Sequence, residues 1–397
     1  MRGRDLQRGS GMREVMRELA GWWGAGATVG MGTVVAIRGS SPREPGASMV
    51  VGPTGEVVGS VSGGCVEAAV YELSREAAAT GKPALVRYGS SGGDPYAPGL
   101  TCGGRLDVFA SPVSTDTFPG LDGVARDVYA GRPVAVATIV EHPDAAIVGH
   151  RLVVRPQQPG MADRPAPASL DSSASLPGRV GDAVTADARG LLAAGRSECL
   201  SYGPQGQRRG EGLQVFVQSF APSPRMLVLG AIDYAAAVAR IGSFLGYRVT
   251  VCDARPLFAT PDRFPDAAEV VVDWPHRYLQ REAQAGNLDG RTVVCVLTHD
   301  PKFDVPVLSL ALRLPQLGYI GAMGSRQTHL ERLERLRAAG LTDIELSRLS
   351  SPVGLDLGGR TPEETAVSIA AEIIAARSGA SGARLRDLDK PIHRPGS

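Results

Sequence analysis

The sequence predicts an α/β protein in two parts. An amino-terminal mixed αβ domain with an internal duplication is followed by a Rossmann-like domain on a doubly wound parallel sheet. Three observations predict it. Short apolar runs cut by Gly and Pro fill the first half. Their strand and helix order recurs once, over residues ~26–112 and ~132–222. Beyond the linker-like Ala221-Pro222-Ser223-Pro224, apolar strands alternate with helical patterns, as crossover connections between parallel strands require.

Residues before Met12 read as a loose leader. Val15, Met16, Leu19, Trp22 and Trp23 then recur at helical spacing up to Gly24. Val34-Val35-Ala36-Ile37, Ser48-Met49-Val50-Val51 and Val57-Val58-Gly59-Ser60-Val61 read as strands. A helix is expected from about Val66 to Ala79, stopped by Gly81. Strands over Ala84 to Tyr88 and Leu106 to Ala110 close the first copy. In the second copy, Val134 to Ile139 echoes the strand near Val35, and Ala183 to Ala194 echoes the helix. Cys199 to Gly203 echoes Leu85 to Gly89, and Leu213 to Phe216 echoes Leu106 to Phe109. Arg155 to Gly178, rich in Pro, Ser and Ala, reads as a long loop within that copy.

The second part opens with the apolar strand Met226 to Gly230, a helix from Ala235 to Leu245, and a strand from Arg248 to Asp253. Further strands are expected at Glu269 to Asp273, Thr292 to Thr298 and Gly318 to Ile320, with a helix from about Val305 to Leu314. Ser325 is placed to cap a helix whose Leu330, Leu333 and Leu336 recur at spacing three and which Gly340 ends. Thr361-Pro362-Glu363-Glu364 is a capping box opening a helix to about Ala376, with Ile369, Ile373 and Ile374 inward. The domains so read are 1–222, 223–378 and a flexible tail, 379–397.

Charge excludes one class of function. Across 397 residues, 42 Lys and Arg meet 41 Asp and Glu, so the net charge is +1 and a broad nucleic-acid footprint is not expected. No run of ~18 apolar residues is present, and the first 17 residues lack an apolar secretory core, so neither a membrane span nor a signal is expected. The five cysteines are few and scattered, which fits a reducing cytoplasm, and no CxxC pair suggests structural zinc.

Several constellations can carry chemistry. Gly63-Gly64-Cys65-Val66-Glu67 leads from a strand into a helix start. Backbone N–H groups and the helix dipole there favour an anion, and the same field favours a thiolate at Cys65 as nucleophile, metal ligand or sulfur carrier. Glu67, in the first turn, caps the helix or acts as a base. Cys102-Gly103-Gly104 is a second Cys-Gly turn, and the repeat has a counterpart of neither. Arg43 stands in a Pro- and Gly-rich loop that reads either as offering it to a phosphate or carboxylate or as a plain surface turn. In the second domain, Gly324-Ser325-Arg326 at a strand end reads as an anion cradle or as a plain helix cap, and Thr298-His299-Asp300 ends another strand. Asp253 follows Gly230 at the interval of a ribose-binding acid, but Ile232 and Ala235 stand where GxGxxG needs glycine, which weighs against a dinucleotide. Cys199, Cys252 and Cys295 sit on apolar strands and read as core.

These motifs resemble a known family. Gly39-Ser40-Ser41-Pro42-Arg43, Pro45-Gly46-Ala47, Ser62 to Glu67 and Cys102-Gly103-Gly104 resemble the amino-terminal domain of the XdhC/CoxI family. Thr298-His299-Asp300, Tyr319 to Arg326, Pro352 to Gly358 and Thr361 to Glu364 resemble its Rossmann domain. The resemblance implies an accessory factor that binds the molybdenum cofactor, assists its sulfuration and delivers it to a xanthine dehydrogenase-type molybdenum hydroxylase. It implies Cys65 as the molybdenum contact, a cysteine desulfurase as a further partner, and a chaperone more than a catalyst. It leaves a homodimer open. The alternatives are an NAD(P)-dependent oxidoreductase and a ligand-free protein adaptor.

Overall fold

The computed structural model describes residues 12–38, 43–89, 105–156, 176, 178–298 and 300–389. The chain divides into two compact units, Met1–Pro222 and Ser223–Ser397.

The first unit begins with α1 (Met12–Gly24), which buries Met12, Val15, Met16 and Leu19 along one stripe. The first copy then runs β1 (Val29–Arg38), β2 (Ser48–Val51), β3 (Val57–Gly59), α2 (Glu67–Thr80), β4 (Ala84–Tyr88) and β5 (Arg105–Val113). Its sheet has the order β3-β2-β1-β5-β4, with antiparallel pairs. The connecting α3 (Leu121–Tyr129) was not anticipated, because its nine residues hold only a brief amphipathic stripe. The second copy runs β6 (Val134–Glu141), β7 (Arg151–Val154), α4 (Gly178–Ala194), β8 (Glu198–Tyr202) and β9 (Leu213–Phe220). Its order, β7-β6-β9-β8, repeats β2-β1-β5-β4.

The two sheets agree in register as well as order. Thr33 pairs with Ser48 and Phe109, as Thr138 pairs with Arg151 and Phe216. Each central strand carries a register shift at the same place, between Val34 and Ala36 and between Ile139 and Glu141. Equivalent residues from the two copies, Val35 with Val140 and Phe109 with Phe216, form one buried cluster. Each sheet therefore covers an apolar face of the other.

The second unit is a six-stranded parallel sheet ordered β12-β11-β10-β13-β14-β15. It contains β10 (Arg225–Leu229), α5 (Asp233–Phe244), β11 (Arg248–Asp253), β12 (Glu269–Val272), α6 (Pro275–Gln284), β13 (Val293–Val296) and α7 (Pro301–Leu312). Then follow β14 (Tyr319–Ala322), α8 (Arg326–Ala338), α9 (Asp343–Leu346), β15 (Leu349–Ser350) and α10 (Pro362–Ser378). The order reverses between β10 and β13, where a doubly wound sheet opens its crevice at the carboxyl ends of the strands. Asp300 caps α7, so that helix starts four residues before the Val305 expected from apolar periodicity. Both expected caps of the late helices are present: Ser325 accepts from the Thr328 N–H, and Thr361 and Glu364 form a reciprocal box.

On α8, whose leucines recur at spacing three, Leu330 is exposed and the buried side chains are Arg332 and Leu336. One inward face was misassigned. On α10 Ile369 and Ile373 are buried but Ile374 is exposed. Among the described residues, no helix is long and apolar enough to cross a membrane.

Candidate functional site

The loop between β3 and α2 holds the strongest sequence candidate. Gly63 (φ +80°) and Gly64 (φ +131°) adopt backbone angles that side chains rarely tolerate. A Cβ at either would meet open space, so conformation and not crowding calls for glycine there. The folded loop turns its N–H groups inward onto Glu67. One carboxylate oxygen accepts from the Ser62 N–H (2.9 Å), the Gly63 N–H (2.7 Å) and the Ser60 hydroxyl (2.9 Å). The other accepts from the Ser62 hydroxyl (2.6 Å), the Gly64 N–H (2.8 Å) and the Val66 N–H (3.3 Å). Ser62 Oγ in turn accepts from the Cys65 and Val66 N–H groups.

This corrects two expectations. The anion held by the Gly63 and Gly64 N–H groups is the chain's own carboxylate, so those groups are not open to a phosphate. Glu67 is not set up as a base either. Burial works to raise its pKa, but the Ser62 hydroxyl and N–H, Ser60 and Gly64 overcome it and hold the carboxyl at about 2. Its work is to lock the loop. Cys65 is left exposed at the apex, immediately before the helix. The other described cysteines differ. Cys252 and Cys295 are buried and Cys199 is half-buried, and burial pushes all three thiols up to about 12. Arg43 is half-buried and lies 3.5 Å from Glu14 on α1, an acid of the chain itself. Cys102, Gly103 and Gly104 lie outside the described residues.

In the second unit, the crevice is lined by the expected loops but differently committed. Gly230 has φ +114°, and a Cβ on it would lie 2.7 Å from Thr298 Cγ2, so the β10 loop needs glycine to pass the end of β13. Asp253 is buried. It accepts from the Ala231 N–H (2.7 Å), the Arg255 N–H (2.9 Å) and both Nε and Nη2 of Arg255 (2.9 and 2.8 Å). Burial works to raise its pKa, and the Arg255 and Ala231 bonds hold it below the usual carboxylate range. A carboxylate so occupied cannot also grip a ribose without giving up a partner. That corrects its assignment as a cofactor-binding acid and adds to the missing glycines against a dinucleotide. Gly324 (φ +156°) leads into the Ser325 cap, and Arg326 is exposed at the first turn of α8. Asp300 caps α7, and His299 lies outside the described residues.

Residues 226–373 match the model of the XdhC Rossmann domain, and residues 22–89 match that of the XdhC and CoxI family. The chain belongs to the XdhC and CoxI family. Among relatives of this family, a probable xanthine dehydrogenase subunit of Bacillus subtilis is 26% identical over 87% of this chain and 92% of its own length. The molybdenum cofactor insertion chaperone PaoD of Escherichia coli is 28% identical over 87% of this chain and 82% of its own. A crystal structure described as a xanthine dehydrogenase from Bacillus halodurans superposes with a TM-score of 0.61 at 25% identity, covering 93% of this chain and 98% of that one.

Beside this family's Rossmann crevice lies a buried network that motif reading missed. Arg332 donates to Asp304 (3.0 Å), to the Met323 carbonyl (2.8 Å) and to Ser351 (2.9 Å), and the Thr298 hydroxyl donates to Asp304. The pair ties the ends of β13 and β14 to α7 and α8. One signal was available: Arg332 stands one turn before Leu336, on the face that had to be buried.

Proposed function

We propose that this protein is a molybdenum-cofactor accessory protein. It takes the cofactor as cargo, assists its sulfuration and passes it to a xanthine dehydrogenase-type hydroxylase. The observation that carries the reading is the exposed Cys65 on a loop locked by Glu67. A thiolate is a soft ligand suited to molybdenum or to carrying sulfur. A pre-ordered loop also spares the entropy of positioning it. The kinship with a molybdenum cofactor insertion chaperone supports the same cargo. Cys102 with Gly103 and Gly104 is the proposed second contact of the first unit, and Ser325 with Arg326 is proposed, within the second unit, as an anion-binding turn. In this reading the protein works in the cytoplasm, and a cysteine desulfurase supplies the sulfur.

The test mixes the full-length chain with molybdenum cofactor and measures molybdenum retained after gel filtration. Wild type is expected to retain it and Cys65→Ala to retain less. Equal retention by the variant removes the thiol from the account. No retention by wild type removes the cargo. The same column reads whether the chain runs as a homodimer.

A further inference from the structure

Between the two sheets of the first unit lies a small cavity lined by equivalent residues of the two copies. By register Thr33 corresponds to Thr138, Val35 to Val140, Phe109 to Phe216, and Ser111 to Gln218, and all eight line it. One residue of the lining is charged. Register places Arg151 of β7 where β2 has Ser48. The Arg151 side chain is buried, and its described contacts are all to neutral groups. Nη2 donates to Ser111 Oγ (2.7 Å), Nη1 donates to the Thr117 carbonyl (3.2 Å), and the guanidinium stands 4.9 Å from the centre of the Phe118 ring. No carboxylate of the described residues lies within ion-pair distance of it. Burial alone pushes its pKa down to about 10, so it remains a cation at neutral pH. A buried cation without a counter-ion is costly, and proteins ordinarily pair one. The cavity beside it is about 10 Å³, room for one small species, and Thr33, Ser111 and Thr138 are among the residues that line it.

We propose that this cavity binds a monatomic anion, chloride in the cell, as the counter-ion of Arg151. Its size excludes phosphate and carboxylate ligands. Bound there, the halide joins the two copies: Ser111 belongs to one sheet and Arg151 to the other.

Two measurements on the full-length protein test this. Crystals soaked in sodium bromide should show an anomalous peak within hydrogen-bond reach of the Arg151 guanidinium. The wild-type Tm should rise by about 2–4 °C when chloride replaces gluconate at constant ionic strength, as linkage to a site filled in the folded state requires. Arg151→Met should lose that difference while remaining folded. If the variant does not fold, the bromide map of wild type decides. A peak that refines as water, or a Tm indifferent to the anion, overturns the proposal.

Discussion

The two copies within the first unit share strand order, register shift and helix placement, yet one carries a candidate site and the other does not. Aligning Gly81 with Gly195, which follow α2 and α4 with φ +71° and +65°, also aligns Tyr88 with Tyr202. Cys65 then stands opposite Arg179, and Glu67 opposite Gly181. The second copy thus has neither the thiol nor the carboxylate that locks its loop. Its polar investment is elsewhere: buried Asp187 on α4 accepts from the Tyr202 hydroxyl (2.9 Å) and from Arg208. The first copy has Leu73 at that place. The comparison teaches that sheet and helix are a shared scaffold, and that the copies diverge at the turn feeding α2, where the candidate site lies.

The copies also differ in how closely helix meets sheet, which supplies the largest expected effect. A Cβ on Gly30 would overlap the Ser74 carbonyl, whereas its counterpart Ala135 already carries one. Gly30→Ala should destabilise the first unit by about 3 kcal/mol, because backbone must move. Ala135→Gly should cost about 1 kcal/mol. Urea melts of both variants check the contrast, and equal costs would erase it.

Asp187→Ala comes next. It leaves the buried Tyr202 hydroxyl without its acceptor and should cost about 2 kcal/mol by the same melts.

Glu67→Gln has a smaller, pH-dependent effect. The folded carboxyl titrates near 2, below its ordinary 4.5, so its stabilisation is complete above 4.5 and is lost as pH falls from there towards 2. Because the group is partly solvated, about 1 kcal/mol is expected at neutral pH. Wild type and variant should converge in Tm at low pH. A constant gap would mean the carboxylate does not hold the loop.

Smallest in stability is Cys65→Arg, which gives the first copy the residue of the second. An exposed substitution should shift stability by less than about 0.5 kcal/mol while cofactor retention falls. A large loss of stability would make Cys65 structural.

Periodicity alone made most of the architecture legible. β2, β4 and the caps of α8 and α10 fall where apolar alternation, Ser325 and Thr361 place them. Cys65 was legible as a candidate, since a thiol between glycines and a helix start reads either as a reactive group or as a small buried residue, and the structure leaves it exposed. What sequence could not show was direction. The Gly63 and Gly64 N–H groups were expected to be available, but whether they face a ligand or Glu67 depends on how the loop closes. Asp253 had the right interval for a ribose but is claimed by Arg255 and Ala231.

The sequence by itself determined which segments become strands and helices and where they stop, because spacing, caps and glycines act over a few residues. Only the tertiary structure decided which charges meet. Arg332 finds Asp304, Arg151 lies buried between two sheets, and Glu67 fills its own loop. The physical reason is that burial makes a charge's partner decisive, and partners are brought together by packing, not by nearness along the chain.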